Sequence, residues 1–358
     1  MSPSIIQKYI FKNLMNSVLV VLLALLGIDL LFYVVNELRY VGRGDYTTGL
    51  ALYYVLLKLP NKIYFHFPWA ALLGSILALG QLAKNSELII LQTSGISTYR
   101  ITAMVLKSIL VLSIFMVILG EVLAPMGEKA GERIKMTAIS SGRAVQIRGG
   151  IWVRNKDTFI HIKETSYDST LKWVTVYNFD DNLTLKSAIN ASTAIKTDAG
   201  WVLNNVQGTR FFKDRIEKFT KSKLQLAQLI DINILKAASI KHLERLSFTR
   251  LYKLIKVRLD NNLDVNRYLF AFWQKVFHPI SAIVMVLLAA PFSFGLMRNV
   301  NLGAKMVAGI MVGFSFFLVN TLFAPMVTVV EMSPFIAAGL PTLIFFILGC
   351  FLAYRMGS

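Results

Sequence analysis

Six basic side chains lie near the ends of strongly apolar segments in the first 140 residues, where they could bind an anion. They are Arg39, Arg43, Lys58, Lys62, Arg133 and Lys135. Arg and Lys at such a boundary can hold the phosphate or carboxylate groups of an anionic amphiphile through charge-assisted hydrogen bonds. Ordinary contact with lipid headgroups would not require six charges gathered at the ends of three apolar segments. The pattern therefore favours a site for the charged groups of an amphiphilic ligand.

A second candidate site is the short segment 84–95, which lies between two apolar segments. Ser86 or Asn85 can cap a short helix there, and Gly95 can end it. Its apolar ridge consists of Leu88, Ile89 and Leu91. Such a helix, with the acid Glu87 near its start, is suited to docking into a groove on a cytoplasmic partner. A helix that rests on lipid headgroups has the same pattern, so both interpretations stay open.

An isolated carboxylate, Asp29, lies inside the first apolar segment. A charged group inside a membrane helix is costly, so it normally faces protein or water and has a partner. Asp29 could serve as a relay acid, form part of a polar ligand path, or be a neutral, hydrogen-bonded structural acid.

Residue patterns for catalysis are missing from the sequence. It contains no GxxxxGK[ST] phosphate loop, so ATP binding of the P-loop kind is not expected, and no GxSxG motif. The single cysteine, Cys350, and four scattered histidines form no local metal-binding motif. A catalytic base is conceivable at His278, but an interfacial position beside Trp273 and Lys275 is favoured, and His66 is expected to be packed or cavity-facing. The sequence predicts a non-catalytic protein without a metal or cofactor.

The composition indicates a membrane protein. Hydrophobic residues make up 55% of the 358 residues and charged residues 16%, with a mean hydropathy of +0.56, whereas soluble domains carry roughly 25% charged residues. This excludes a disordered chain, a secreted disulfide scaffold and a typical cytosolic enzyme. Six apolar segments of 21–25 residues can each cross a hydrocarbon core of about 30 Å as a helix. They are 13–35, 63–83, 101–124, 276–297, 306–330 and 332–354.

The distribution of basic residues predicts the orientation in the membrane. A net charge of +18 is better matched by anionic lipid than by nucleic acid in a chain with such long apolar segments. With both termini in the cytoplasm, seven basic residues of the short connections lie inside, against four outside. The inside residues are Lys8, Lys12, Lys84, Arg100, Arg298, Lys305 and Arg355. The outside residues are Arg39, Arg43, Lys58 and Lys62.

Residues 126–267 form a hydrophilic insertion whose middle is typical of β structure. β-branched and aromatic residues dominate 145–147 and 173–177. A hairpin is predicted with 193–195 and 201–203 as its strands. Turn signals occur at 149–150, 155–157, 180–182 and 198–200. Strands at this spacing predict an all-β sandwich or roll.

Both flanks of the insertion are predicted to be helical. Residues 128–136 could continue the third apolar helix, and Ser247 could cap an amphipathic helix that ends at Asn261 and Asn262. The predicted fold class is an α-helical membrane protein with six transmembrane helices and an all-β domain inserted between helices 3 and 4. Its domains are 1–125 with the coupling helix 84–95, then 126–267, then 268–358.

The sequence resembles the LptF/LptG family of lipopolysaccharide export permeases along most of its length. The order, spacing and full-length coverage of several motifs carry the resemblance. The matching segments are Val41-Gly42-Arg43-Gly44-Asp45-Tyr46, Phe67-Pro68-x-Ala70-Ala71-Leu72-Leu73-Gly74, Ser86-Glu87-Leu88 with Ser94-Gly95, Gly120-Glu121-x-x-Ala124-Pro125-x-Gly127-Glu128, Gly150-Ile151-Trp152, Trp273-x-Lys275-x-x-x-Pro279, Phe294-Gly295-x-x-Arg298, and Gly303, Gly309, Gly313 and Pro325.

The resemblance implies an inner-membrane permease subunit of an ABC transporter with a periplasmic β-jellyroll domain. Such a subunit would extract lipopolysaccharide from the outer leaflet and pass it to a periplasmic bridge. Its partners would be an LptF-like homologous permease subunit, two copies of an LptB-like cytoplasmic ATPase and an LptC-like single-helix protein. The six basic residues would bind lipopolysaccharide, and Glu87, Leu88 and Leu91 would couple to the ATPase.

The sequence departs from the family pattern along the outer half of the first helix. Family members often carry lysines there, where this sequence has Tyr33 and Tyr40. Of what is commonly an adjacent basic pair only Arg39 remains, with Arg43 nearby.

Large apolar side chains of the β domain are expected to line an open path for acyl chains. They are Trp152, Phe159, Ile160, Ile162, Trp173 and Tyr177. A fully packed sandwich would bury the same side chains, so this alternative stays open.

Two functions of other classes are also compatible with the sequence. One is a membrane-embedded enzyme that modifies an envelope lipid, which would turn over lipid without any ATPase. The other is a mechanotransmitting sensor, which would couple to an ATPase without a lipid-sized cavity.

Overall fold

The computed structural model describes ten stretches of the chain, and statements about structure refer to them. They are residues 5–139, 145–155, 158–165, 170–180, 184–197, 200–212, 214–226, 243–260, 263–294 and 300–357. The helices are α1 Ile5–Leu38, α2 Thr48–Lys84, α3 Glu87–Thr93, α4 Thr98–Ile118, α5 Ala124–Ile139, α6 Phe248–Asp260, α7 Asn266–Phe294, α8 Leu302–Val329 and α9 Pro334–Gly357. A π-helical turn, Leu119–Leu123, joins α4 to α5, and a 3₁₀ turn, Leu243–Arg245, precedes α6.

Six helices are long and apolar enough to cross a membrane, as the sequence predicts. They are α1, α2, the continuous helix Thr98–Ile139, α7, α8 and α9. The continuous helix confirms that the third apolar segment extends beyond 124 as α5. Because the β domain follows α5 and precedes α6 and α7, it is attached at one end of the bundle. This end is called the domain end below.

Helix α2 lies at the centre of the bundle, with α1, α5 and α7 packed against it. Two glycines allow the backbones to come close. A Cβ at Gly74 would lie 2.6 Å from the Cα of Val18 on α1, and a Cβ at Gly127 would lie 2.1 Å from the carbonyl oxygen of Leu57. No side chain fits at either distance, so glycine permits these two helix contacts.

A histidine from α7 satisfies a backbone group that a proline leaves open in α2. Pro68 has no N–H, so the carbonyl of Tyr64 cannot accept the usual helical hydrogen bond from it. Nε2 of His278 lies 2.8 Å from this carbonyl oxygen and donates to it, since a carbonyl only accepts. His278 therefore joins α7 to α2 inside the bundle.

The inserted domain is a six-stranded antiparallel sheet in which the strands follow one another in sequence order. The strands are β1 Val145–Asn155, β2 Thr158–Thr165, β3 Leu171–Phe179, β4 Leu185–Thr197, β5 Gly200–Phe211 and β6 Ile216–Leu226. This confirms an all-β domain between the third and fourth membrane helices. Its described strands are connected as a meander, without the crossings of a jelly roll. The predicted hairpin is also confirmed, because Ala194 pairs with Leu203 and Thr197 with Gly200.

The predicted turn at 149–150 is wrong, because these residues lie inside β1. Gly150 has a φ of +69°, and the register with β2 shifts between Gln146 and Ile151. The glycines therefore accommodate an irregularity within a strand, a second common use of glycine in sheets. The other turn signals fall wholly or partly on 156–157, 181–182 and 198–199, which lie outside the described residues, as do Asn261, Asn262 and Arg298.

A bend crosses the sheet and gathers its apolar side chains into one core. Leu171 and Val174 are both fully buried in that core, although strict alternation over three positions would place them on opposite faces. Ala191 and Ala194 on β4, like Leu203 and Val206 on β5, behave in the same way. Trp173 and Asn205, which lie between these positions, have φ values of +55° and +52°. The two halves of the sheet therefore face the same interior.

Candidate functional site

Lys58, predicted to contact an anionic ligand, is instead sealed inside the protein. Its side chain is 1% exposed. Its ammonium group donates to Glu128 and, at 2.8 Å, to Glu132, both on α5. Nδ2 of Asn61 donates to the other oxygen of Glu128 at 2.8 Å. Lys58 therefore holds α2 against α5 and lies buried in this structure, away from the surface at which the sequence predicts an anionic ligand.

Lys135 is also paired within the protein, near the domain end of α1. Its Nζ lies 2.7 Å from a carboxylate oxygen of Glu37, which also accepts a hydrogen bond from the hydroxyl of Tyr46 at 2.8 Å. Burial, together with this hydrogen bond, raises the pKa of Tyr46, so the phenol stays a donor. The ammonium also lies 3.9 Å from the ring centroid of Tyr40. Lys135 therefore ties the connection between α1 and α2 to α5.

Lys62 forms a third ion pair, and this one is open to the surroundings. Its Nζ lies 2.9 Å from Oδ2 of Asp29 and 4.6 Å from the ring centroid of Tyr33, both on α1. Nε2 of His66 lies 3.3 Å from the same carboxylate oxygen. The lysine and aspartate side chains are 24% and 27% exposed. Asp29 thus has Lys62 as its ion-pair partner, with His66 close by on α2, as expected for a carboxylate inside a membrane helix.

The remaining three basic residues are exposed. Arg39 and Arg43 lie just beyond the end of α1, and Arg133 lies on α5. The guanidinium of Arg43 lies 5.0 Å from the ring centroid of Tyr40. The six predicted residues therefore divide into two sealed or internally paired lysines, one open ion pair and three exposed arginines.

A recess lies on the face of α2 that carries Phe65 and Trp69, and none of the six predicted basic residues lines it. It has a volume of about 310 Å³ and lies between α2, α7, α8 and α9. The ring centroid of Trp69 lies 6.2 Å from that of Phe317 on α8, and Phe65 packs edge-on against His66. The exposed arginines at the domain end and the aromatic rings of this recess offer two separate surfaces, which match the two chemistries of an anionic lipid.

The short helix α3 forms where the sequence predicts it, but its apolar ridge points the other way. Leu88 is 4% exposed and belongs to the core of the bundle, and Leu91 packs against that core. Ile89 and Ile90 are the exposed apolar side chains, and Glu87 accepts a hydrogen bond from the hydroxyl of Tyr9 at 2.7 Å. A partner at this surface would therefore meet Ile89 and Ile90, whereas Leu88 and Leu91, predicted to couple to a partner, pack against the bundle.

Gly95 ends α3 as predicted. It has a φ of +87°, and the N–H of Ile96 bonds back to the carbonyl of Leu91 at 3.1 Å. This is the six-to-one hydrogen bond of a helix end that requires a left-handed residue. Ser86 precedes the helix but makes no capping hydrogen bond with its side chain.

The six side chains predicted to line a path in the β domain do not lie together. Ile160 and Ile162 are fully buried in the core of the sheet. Phe159 and Tyr177 pair directly across β2 and β3 on the opposite face, where Trp152 stacks on the ring of Tyr177 at 6.0 Å. Trp173 lies at the bend, and both tryptophans are 57% exposed. The accessible aromatic side chains are therefore on the outer face of the sheet.

The carboxylates that neutralise the lysines were missed by the sequence analysis. Glu37, Glu128 and Glu132 were not singled out as partners, because they lie between 70 and 98 positions away from the lysines they contact. One signal was present. Glu128, Glu132 and Lys135 follow each other at spacings of four and three, which places them on one face of α5.

A further ionic contact, also missed, links the membrane helices to the return of the chain from the β domain. Glu121, in the π-helical turn, pairs with Lys275 of α7, and its other oxygen accepts from the N–H of Phe248 at 2.6 Å. Lys275 also donates to the carbonyl oxygen of Leu246. One carboxylate thus joins the third and fourth membrane helices to the start of α6. Extra residues in π-turns often re-aim a side chain in this way.

Comparison with known proteins gives consistent matches over almost the whole chain. The profile of a family described as lipopolysaccharide export system permease LptF/LptG matches residues 8–355. The lipopolysaccharide export system permease protein LptG of Haemophilus influenzae is 32% identical over 345 residues, which cover 96% of both chains. The protein of the same name from Escherichia coli K12 is 30% identical over 366 aligned positions, which cover 98% of both chains.

Proposed function

Since the chain belongs to the LptF/LptG family of lipopolysaccharide export system permeases, we propose that it extracts lipopolysaccharide from the outer leaflet of the inner membrane. It is a multi-pass inner-membrane protein and a permease of lipopolysaccharide export. In this proposal the lipid leaves the bundle at the domain end and passes to a periplasmic bridge.

One arrangement supports extraction of this lipid more than any other. The exposed Arg39, Arg43 and Arg133 lie at the domain end, and the recess of about 310 Å³ beside Phe65 has a largely apolar wall, although half of its lining side chains are polar or charged. Lipopolysaccharide carries phosphates on its sugars and several acyl chains, so each part meets a matching surface. Guanidinium groups bind phosphate in a bidentate manner, which gives them the leading role in holding the headgroup.

The orientation follows from the same proposal. Both termini lie in the cytoplasm and the β domain in the periplasm, because more basic residues of the short connections then lie inside. The exposed arginines face the outer leaflet in that orientation. The β domain would meet acyl chains through the exposed Trp152 and through Tyr177 beside it, while Ile160 and Ile162 stabilise its core.

Energy for extraction would come from a separate cytoplasmic ATPase, since the sequence has no phosphate loop. We place two copies of an LptB-like ATPase at α3 and at its counterpart in an LptF-like permease subunit. Glu87, Ile89 and Ile90 would contact the ATPase. Helices α1 and α8 expose long apolar faces to the outside of the bundle, and the LptF-like subunit and the single helix of an LptC-like protein would cover them.

The experiment is retention of lipopolysaccharide by the complex that co-purifies with the chain. Arg39, Arg43 and Arg133 are replaced together by Glu, and the control replaces Lys218, Lys221 and Lys223 of β6, which are also exposed. Each charge-assisted contact contributes about 1.5–3 kcal/mol, so losing three should remove most bound lipid. Equal retention by both triple variants would refute the proposed headgroup site.

A further inference from the structure

Two lysines one helical turn apart on α2 differ sharply in access. Lys58 is 1% exposed and pairs with the carboxylates of α5, whereas Lys62 is 24% exposed and pairs with Asp29, which is 27% exposed. An anion that approaches from outside the protein can therefore reach Nζ of Lys62 but not that of Lys58. We call Lys62 and Asp29 the open pair. Among the lysine–carboxylate pairs between membrane helices in the described chain, it is the one in which both side chains are partly exposed.

Lys62, the cation of the open pair, lies at the depth of lipid headgroups. Lys62 is 22 residues from Lys84 at the end of α2, which is about 33 Å at 1.5 Å per residue. Asp29 is 16 residues from Asn13, where the first apolar segment begins, or about 24 Å. Because a hydrocarbon core is about 30 Å thick, Lys62 reaches its boundary at the domain end, and Asp29 lies about one helical turn deeper. A phosphate of a lipid in that leaflet would lie at the same level.

Asp29 also has an imidazole close by. Nε2 of His66 lies 3.3 Å from Oδ2, the oxygen that Lys62 contacts at 2.9 Å. The lysine in turn lies 4.6 Å from the ring centroid of Tyr33, which favours its ammonium group through a cation–π contact. If Lys62 turns toward another anion, the imidazole of His66 remains 3.3 Å from the carboxylate oxygen of Asp29.

We propose that Asp29 is a competing counter-ion for Lys62, which a lipid phosphate displaces during loading and which recaptures the lysine when the lipid leaves. This inference rests on the proposed function and extends it by explaining how the site releases its ligand. Carboxylate and phosphate oxygens accept the same charge-assisted hydrogen bonds from an ammonium group. Without Asp29, departure of the phosphate would leave a partly buried ammonium group unpaired, which is unfavourable. The internal carboxylate thus lowers the cost of release.

The test compares lipid retention and ATP-driven lipid release for the complex that co-purifies with the chain, in nanodiscs. Asp29→Asn should retain lipopolysaccharide about three- to tenfold more tightly and release it correspondingly more slowly, since an incoming phosphate no longer competes with a carboxylate. Asp29→Glu keeps the charge and should behave like the wild type. Lys62→Gln should weaken retention, and Asp29→Asn added to it should have no further effect.

The matched control is Glu128→Gln, which removes the same charge from the pair with the buried Lys58, at a side chain that is only 13% exposed. It should not tighten lipid retention, because lipid cannot reach Lys58. A second arm uses lipopolysaccharide from which the lipid phosphates have been removed, and the gain from Asp29→Asn should vanish with it. If Asp29→Asn still tightens retention of the lipid without phosphates, the effect comes from packing and the proposal is overturned.

Two results would separate failure of this inference from failure of the proposed function. If Asp29→Asn weakens retention as much as Lys62→Gln does, Asp29 only positions Lys62, and the inference is wrong while the lipid site stands. If the wild-type complex retains no lipopolysaccharide, the proposed function itself fails. Should Asp29→Asn not assemble, Asp29→Ser with the same readouts decides between tighter and weaker retention.

Discussion

Replacing Lys58 by Met tests whether this lysine supports the fold or contacts lipid. The change removes a 1% exposed ammonium group from between Glu128 and Glu132 and leaves two carboxylates in mutual repulsion. Breaking a buried pair costs about 3–5 kcal/mol, but Glu132 is 47% exposed and Glu128 keeps Asn61 and Arg245 nearby. We therefore expect the free energy of unfolding to fall by about 2–3 kcal/mol. This is less than for a fully buried pair, because Glu132 is partly solvated.

The assay is thermal unfolding of the purified protein, together with lipopolysaccharide retained per folded molecule. A loss of this size should lower the midpoint by roughly 5–10 °C. Retention per folded molecule should stay at the wild-type value, because the lysine does not reach the lipid. Adding Glu132→Gln should recover part of the stability, as expected for residues that interact directly. Wild-type stability combined with reduced retention would show that Lys58 faces the lipid and that the reasoning is wrong.

The two remaining predictions concern the ends of the bundle. Glu121→Gln keeps a hydrogen-bond acceptor for the N–H of Phe248 but loses the charge that pairs with Lys275. Lipid release should therefore fall more than ATP hydrolysis does. Equal loss of both activities in the reconstituted complex would count against a role of Glu121 in linking the membrane helices to α6. Replacing Ile89 and Ile90 together by Asp should abolish co-purification of an ATPase, since both side chains are exposed on α3; an unchanged yield of ATPase would place the contact elsewhere.

The membrane helices could be predicted from sequence because their signal is local. Each apolar segment is long enough to span and almost free of charge, and of the two structures that satisfy a backbone in lipid, a helix and a closed barrel, only the helix fits segments without alternation. The signal for the hairpin of β4 and β5 was equally local, because strand-forming residues lie on both sides of a turn. The inserted sheet and its place between the third and fourth membrane helices followed from the same kind of evidence.

The partners of the charged residues could not be predicted, because they depend on distant parts of the chain. Lys58 lies 70 positions from Glu128, and Lys135 lies 98 positions from Glu37. A count of basic residues near a membrane boundary therefore overestimates how many are available to a ligand. The sequence also could not determine which side of α3 faces the bundle, since Leu88 and Leu91 on one side and Ile89 and Ile90 on the other are equally apolar.

The path through the β domain was misjudged for a related reason. Strict alternation would have placed Ile160 and Ile162 on one face and Phe159 and Tyr177 on the other, and the sheet shows that separation. A list of large apolar residues does not distinguish the core face from the outer face. Trp173 gave no signal of the bend, since Trp rarely adopts a positive φ, and Asn205, a residue type that tolerates a positive φ, was too weak a signal on its own.

Crosslinking of lipopolysaccharide to the recess on α2 tests the central claim most directly. A photoreactive amino acid replaces Phe65, which is 49% exposed beside the recess, and in a matched control it replaces Ile347, which is 59% exposed on α9. We expect lipopolysaccharide to crosslink at position 65 in cells, to be lost from it when the purified complex hydrolyses ATP, and not to crosslink at position 347. Equal crosslinking at both positions, or none at position 65, would contradict extraction of the lipid through this bundle.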